Sequence, residues 1–245
     1  SLIPSYRFNN TFNELELKAC SFKYELMTTI FTKSSAYLSL YSRTGNKEHL
    51  KSGYHLAKNL IPLWNYVIEE FESPYANRLI TIYNGKIFNF LVQMSLLLYE
   101  QENNIQYLND IFYFSEQSKC SLQNRLLAIS SSRPVLSNNS QVIKPVDIQR
   151  ALPTDNTLFL EFFDSTIVMG ISKNNFIVKS LNRNINQDSL LTLYQNFLKR
   201  NNPKEYQSTT YLIYQTFFEP IIKSIDADIK YLIIASDGMI SKVAV

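Results

Sequence analysis

The feature that most constrains this chain is a change of hydrophobic period at Pro153. Before it, apolar residues recur in steps of three and four, as on one face of a helix. After it they alternate in twos, as on a strand. The segment from Ile148 to Leu152 reads as a short amphipathic helix, and Pro153, which has no N–H to give, stops it. Three β-rich runs follow, Thr157–Phe163, Ile167–Ser172 and Phe176–Leu181. The breaks between them, Asp164-Ser165 and Lys173-Asn174-Asn175, have the length and chemistry of hairpin turns. Leu158, Leu160 and Phe162 share one face of the first run, and Ile167, Met169 and Ile171 share one face of the second. The spacing therefore predicts an antiparallel meander with a buried face.

Upstream, four helices are expected. The first carries Cys20, Tyr24, Met27, Phe31, Ser34, Leu38 and Tyr41, and ends near Gly45, which suits the left-handed closing position. The second carries Leu50, Tyr54, Ala57, Ile61, Trp64, Ile68 and Phe71. Pro62 should bend it or start a new helix after Asn59. The third carries Leu79, Tyr83, Ile87, Phe90, Met94 and Leu97. The fourth runs from about Ile105 to Leu127, with Leu108, Ile111, Ser115 and Leu122 facing in. Two junctions match: Leu40-Tyr41, Leu50 and Leu56 line up with Leu98-Tyr99, Leu108 and Phe114 at a shift of 98 − 40 = 58 residues. A repeated helical hairpin with long helices explains this.

Ile129 to Pro145 is rich in Ser, Asn and Pro without periodicity and reads as an exposed connection. Helical spacing returns from Gln187 to Lys199 and from Tyr211 to Ile225, the latter interrupted at Pro220. The run Ile229–Ala235 is almost continuously apolar, as in a strand buried on both faces, and Ser236-Asp237-Gly238 closes it. The organisation expected is a helical region over 1–128, a linker over 129–147 and a mixed α+β region over 148–245. Because Val243-Ala244-Val245 is apolar and position 1 is Ser, the chain reads as a piece of a longer polypeptide.

Composition closes off several functions. Hydrophobic residues make up 45% and charged residues 18%, the balance of a folded chain and not a disordered one. Only five glycines are present, and no Gly-rich phosphate loop or His-Glu-x-x-His metal motif occurs. The net charge of +3 and the absence of a Lys/Arg run longer than Lys199-Arg200 argue against nucleic acid as a partner. Cys20 and Cys120 lie in helical patterns without Cys-x-x-Cys spacing, so reduced thiols in a cytoplasmic setting are expected. No apolar run is long enough to cross a membrane, and no cofactor or metal is expected. Heavy Asn, Ile and Lys usage points to an AT-rich bacterial genome.

Several of these stretches together resemble the TPR–CHAT proteins, in which tetratricopeptide-type helices precede a caspase-like CHAT domain. Tyr107 to Lys119 resembles the last tetratricopeptide helix of that family, with Ser115, Glu116, Ser118 and Lys119 at the matching positions. The helix end at Leu152-Pro153, the strand with Glu161-Phe162 and the hairpin after it resemble the opening of a CHAT domain. Phe218-Glu219-Pro220, the apolar strand, then Asp237, Gly238 and Ile240 resemble its first central strand. Ser236 stands where the family usually has proline.

The resemblance implies a TPR-like α-solenoid that binds a protein or peptide partner and gates cleavage by a Cys–His thiol peptidase. It also implies that the catalytic His and Cys belong to segments beyond Val245. His49, His55, Cys20 and Cys120 match no catalytic position, so no catalytic residue is expected here and the chain itself should be inactive. His49 and His55 are six apart, the wrong spacing for a metal pair on one helix face. Glu69, Glu70 and Glu72 read as a solvated helix end, and Asp237 as a turn residue. The seven Tyr and Phe from Phe88 to Phe114 read as packing and not as a ligand cage. A non-enzymatic scaffold of helical repeats is the other reading.

Overall fold

A computed structural model describes residues 14–70, 76–131, 143–164, 166–181, 187–200, 203–225 and 228–235. The expectations for Phe71, Glu72 and Ser165, for positions 132–142 of the linker, and for Ser236, Asp237, Gly238 and Ile240 lie outside those residues. Positions 129–131 and 145–147, expected in that linker, are helical. The fold is α+β, with helices packed in pairs followed by a four-stranded mixed sheet. It divides into two compact units, Ser1–Val142 and Ile143–Val245.

The first unit contains α1 (Glu14–Ala19), α2 (Lys23–Thr44), α3 (Lys47–Ala57), α4 (Leu60–Glu70), α5 (Ala76–Glu102) and α6 (Ile105–Ser131). Cys20 sits in the break between α1 and α2, not inside a helix, and it is buried there. The second helical stretch breaks as expected from Pro62, with a new helix starting after Asn59, because proline cannot donate the backbone bond that a continuous helix needs at that turn. Leu50, Tyr54, Ala57, Ile61 and Trp64 are nevertheless all buried along it.

The 58-residue repeat is reproduced hydrogen bond by hydrogen bond. After α2, Gly45 N–H donates to Tyr41 O at 2.7 Å; after α5, Asn103 N–H donates to Tyr99 O at 2.7 Å. Gly45 and Asn103 both take positive φ, 66° and 51°, the left-handed region that Gly occupies freely and Asn tolerates. Next, Asn46 Oδ1 accepts from Glu48 N–H at 3.0 Å, and Asn104 Oδ1 accepts from Gln106 N–H at 2.9 Å. Each Asn so caps the following helix. Leu50 and Leu108 then open α3 and α6 in buried positions, each worth about 1.5–3 kcal/mol of burial.

Ring contacts set the direction of the pairs. Tyr24 meets Tyr83 edge-on at 5.8 Å, and Phe31 meets Phe90 at 5.0 Å. Both pairs are 59 residues apart (83 − 24 and 90 − 31), so α2 and α5 run parallel. Where α2 and α3 cross, Gly53 lets the backbones approach. A Cβ there would lie 2.9 Å from Tyr37 Cβ and 3.3 Å from Ser34 O.

The second unit opens with α7 (Pro145–Ala151), whose first turn contains the proline that the sequence had placed in the linker. Pro at that position loses nothing, since its N–H would have no helical acceptor. Then come β1 (Thr157–Phe163), β2 (Ile167–Ile171), β3 (Phe176–Ser180), α8 (Gln187–Arg200), α9 (Pro203–Ile213), a widened π-type turn (Tyr214–Phe218), α10 (Glu219–Ile222) and β4 (Tyr231–Ala235). β1, β2 and β3 form the expected antiparallel meander, but not with a single buried face. Phe162 stands opposite Val168 and Glu161 opposite Met169, so Leu158, Leu160 and Phe162 lie on one face and Ile167, Met169 and Ile171 on the other. β1 and β2 are buried on both. Asp164, at φ 48°, starts the first turn. Ser172 closes the second by donating its N–H to Asn175 O at 2.9 Å.

The chain then crosses to the far side of the sheet, where β4 pairs parallel to β1 in the order β3-β2-β1-β4. Leu158, Leu160, Phe162 and Val168 pack against Leu190 and Tyr194 of α8, Phe217 and Phe218 of the widened turn, and Ile221 of α10. Gly170 admits α10 so closely that a Cβ would lie 2.7 Å from Ile221 Cγ1. Pro220 lies at the start of α10. Without an N–H it cannot bond back to residue 216, and the turn before it is the one that widens.

The expectation for the last strand is corrected as well. β4 is not buried on both faces: Tyr231 is 61% exposed, Leu232 41% and Ile233 43%. Among the described residues it is the edge of the sheet, and only Ile234 packs partly against the core.

Candidate functional site

The strongest concentration of polar chemistry among the described residues is a seam between α3 and the α5–α6 turn. Lys47, Lys51, Tyr54 and Lys58 follow one another along α3 at steps of four, three and four, so they line one face. Lys47 Nζ donates to Gln101 O at 3.3 Å. Lys51 Nζ lies 2.7 Å from Glu102 Oε1, and Tyr107 donates its hydroxyl to the other oxygen of Glu102 at 3.3 Å. Deeper in, the Tyr54 hydroxyl donates to Asp110 Oδ2, while Gln106 Nε2 donates to Oδ1 at 3.1 Å. Lys58 Nζ stands 3.8 Å from Asp110 and 5.6 Å from the Tyr54 ring centroid. Tyr107 and Phe114 of α6 close over Tyr54 edge-on, at 5.8 Å and 6.4 Å.

The electrostatics are those of a lock. Burial, and then the bond to Asp110, hold the Tyr54 phenol far above its usual range, so it stays protonated. The Lys51 ammonium holds the Glu102 carboxyl below its usual range, and Glu102 in turn raises Lys51. Burial, and then the Glu102 charge, raise Tyr107. Each carboxylate thus has a lysine and a phenol as partners. The seam ties α3 to the next hairpin, and it presents no unpaired base or activated nucleophile.

A second buried chain of polar groups lies one layer along. Trp64 Nε1 donates to Asn84 Oδ1 at 2.9 Å, and Asn84 Nδ2 donates to Ser118 Oγ at 2.9 Å and to Ser118 O at 3.1 Å. The residues that carried the family resemblance in α6 therefore have structural work. Ser118 anchors α4 and α5 through Asn84, Ser115 is fully buried, and Glu116 pairs with Lys119 at 3.2 Å.

The residues weighed individually in the sequence do not converge. His49 lies in α3 with its ring 6.4 Å from Tyr37, and His55 is exposed beside Tyr54. Cys120 is half-buried, and burial, then Glu116, push its thiol up, the opposite of what a nucleophilic thiol needs. Glu69 and Glu70 end α4. Of the seven aromatics, Phe88, Phe90, Phe112 and Phe114 are buried, and Tyr99, Tyr107 and Tyr113 are half-buried. That is packing. Among the described residues no group of His, Cys, Asp and Glu could hold a metal ion, and no helix is long and apolar enough to cross a membrane.

Two features escaped sequence reasoning. The Tyr54–Asp110 pair joins residues 56 apart, which local periodicity does not link, although the lysine steps along α3 were there to be read. Glu161 is 1% exposed on β1, between Met169 and Ala235 in register, and its burial is not announced by the strand's sequence. Comparison with protein-family models, with curated proteins and with solved structures finds no match to this chain.

Proposed function

We propose that this chain is the protein-interaction and regulatory part of a TPR–CHAT caspase-like cysteine peptidase. Residues 148–245 would be the front, non-catalytic part of its caspase-like domain. The observation that carries the reading is the helical hairpin repeated at 58 residues, with equivalent turn bonds, followed by a meander and a parallel fourth strand. Repeated hairpins of this kind present a continuous surface along one side of the array, and recognition of a protein or peptide segment uses that surface. In this reading the partner lies along the concave side of the hairpins, the protein acts in the cytoplasm, and segments beyond Val245 supply the His and the attacking Cys thiolate.

A non-enzymatic scaffold is the second reading, and one observation favours it. Both acids of the polar seam, Glu102 and Asp110, are already held by a lysine and a phenol, as in a structural joint. The two part cleanly at the reading frame past Val245, which should encode a His-Gly and an Ala-Cys segment some tens of residues apart. Absence of either leaves the scaffold. The interaction half of the proposal is checked by truncation. Residues 1–131 should bind a partner of the whole chain with unchanged affinity, and loss of binding would move the contact off the hairpins.

A further inference from the structure

We draw no further inference here: the strongest candidate, the exposed apolar edge strand Tyr231–Ala235 of the mixed sheet, carries nothing because nothing in the structure shows what covers it.

Discussion

Tyr54 and its counterpart in the next hairpin separate packing from hydrogen bonding. Position 54 plus the 58-residue shift is Phe112, and both rings are buried at 1–2% exposure, so the site accepts a phenyl ring. What Phe cannot do is donate to Asp110. Tyr54→Phe should therefore cost about 1–3 kcal/mol, since a buried carboxylate loses a donor and keeps only Gln106 and the more distant Lys58. Urea unfolding would read this directly, and a change under about 0.5 kcal/mol would mean that water replaces the phenol. The outer pair, Lys51 and Glu102, makes a prediction in pH. Glu102 is lowered in the folded chain, so its share of stability is present above the ordinary glutamate range and fades as pH falls through the lowered value. Lys51 is raised, so its share is present below the ordinary lysine range and fades only as pH rises through the raised value. The Tm difference between the wild type and Lys51→Met should be flat through neutral pH and should close as pH falls below the ordinary glutamate range. Salt should shrink it at neutral pH as well, because both groups are partly exposed. A difference of the same size at pH 3 would assign it to the packing of the lysine stem.

The helical hairpin shows how much an element reveals in its sequence and where that stops. The tyrosine, the short polar turn and the leucine were legible twice, because each answers to a local rule: a left-handed residue closes the helix, and an Asn side chain caps the next one. Gly45 and Asn103 do the same job with different side chains, which makes a test. No atom lies within 4 Å of where a Gly45 Cβ would sit, so substitution there meets only the backbone cost of positive φ. Gly45→Ala should lose about 1–2 kcal/mol, and Gly45→Asn clearly less, since Asn already holds φ 51° at the equivalent turn. Equal losses for Ala and Asn in urea unfolding would show that the two turns are not interchangeable. Elements whose shape depends on distant partners were not legible in this way. The widened turn at Tyr214–Phe218 carries the same apolar spacing as an ordinary helix, and Pro203 begins α9 eight residues before the apolar pattern becomes visible at Tyr211. The lysine face of α3 has its acids two and three helices later, Glu102 in α5 and Asp110 in α6, beyond the reach of any short window.

For the molecule as a whole, the change of period at Pro153 was sufficient to separate paired helices from a sheet, because the two periodicities cannot be satisfied by one backbone. It could not say where a strand stands in that sheet. An apolar run reads the same at the edge as in the centre, and Tyr231–Ala235 is at the edge among the described residues, with Tyr231, Leu232 and Ile233 in solvent. An apolar, uncharged edge of five residues can pair between molecules. Replacing Ile233 with Lys should accordingly lower light scattering on concentration, while moving the urea-derived stability by no more than about 1 kcal/mol, the span of strand propensities. Leu160→Ala provides the contrast, because Leu160 is fully buried on the helix-covered face of β1. Its cost should be about 2–5 kcal/mol. If Ile233→Lys were as damaging as Leu160→Ala, the outer side of β4 would have to be covered in solution, and its exposure would not describe the folded protein.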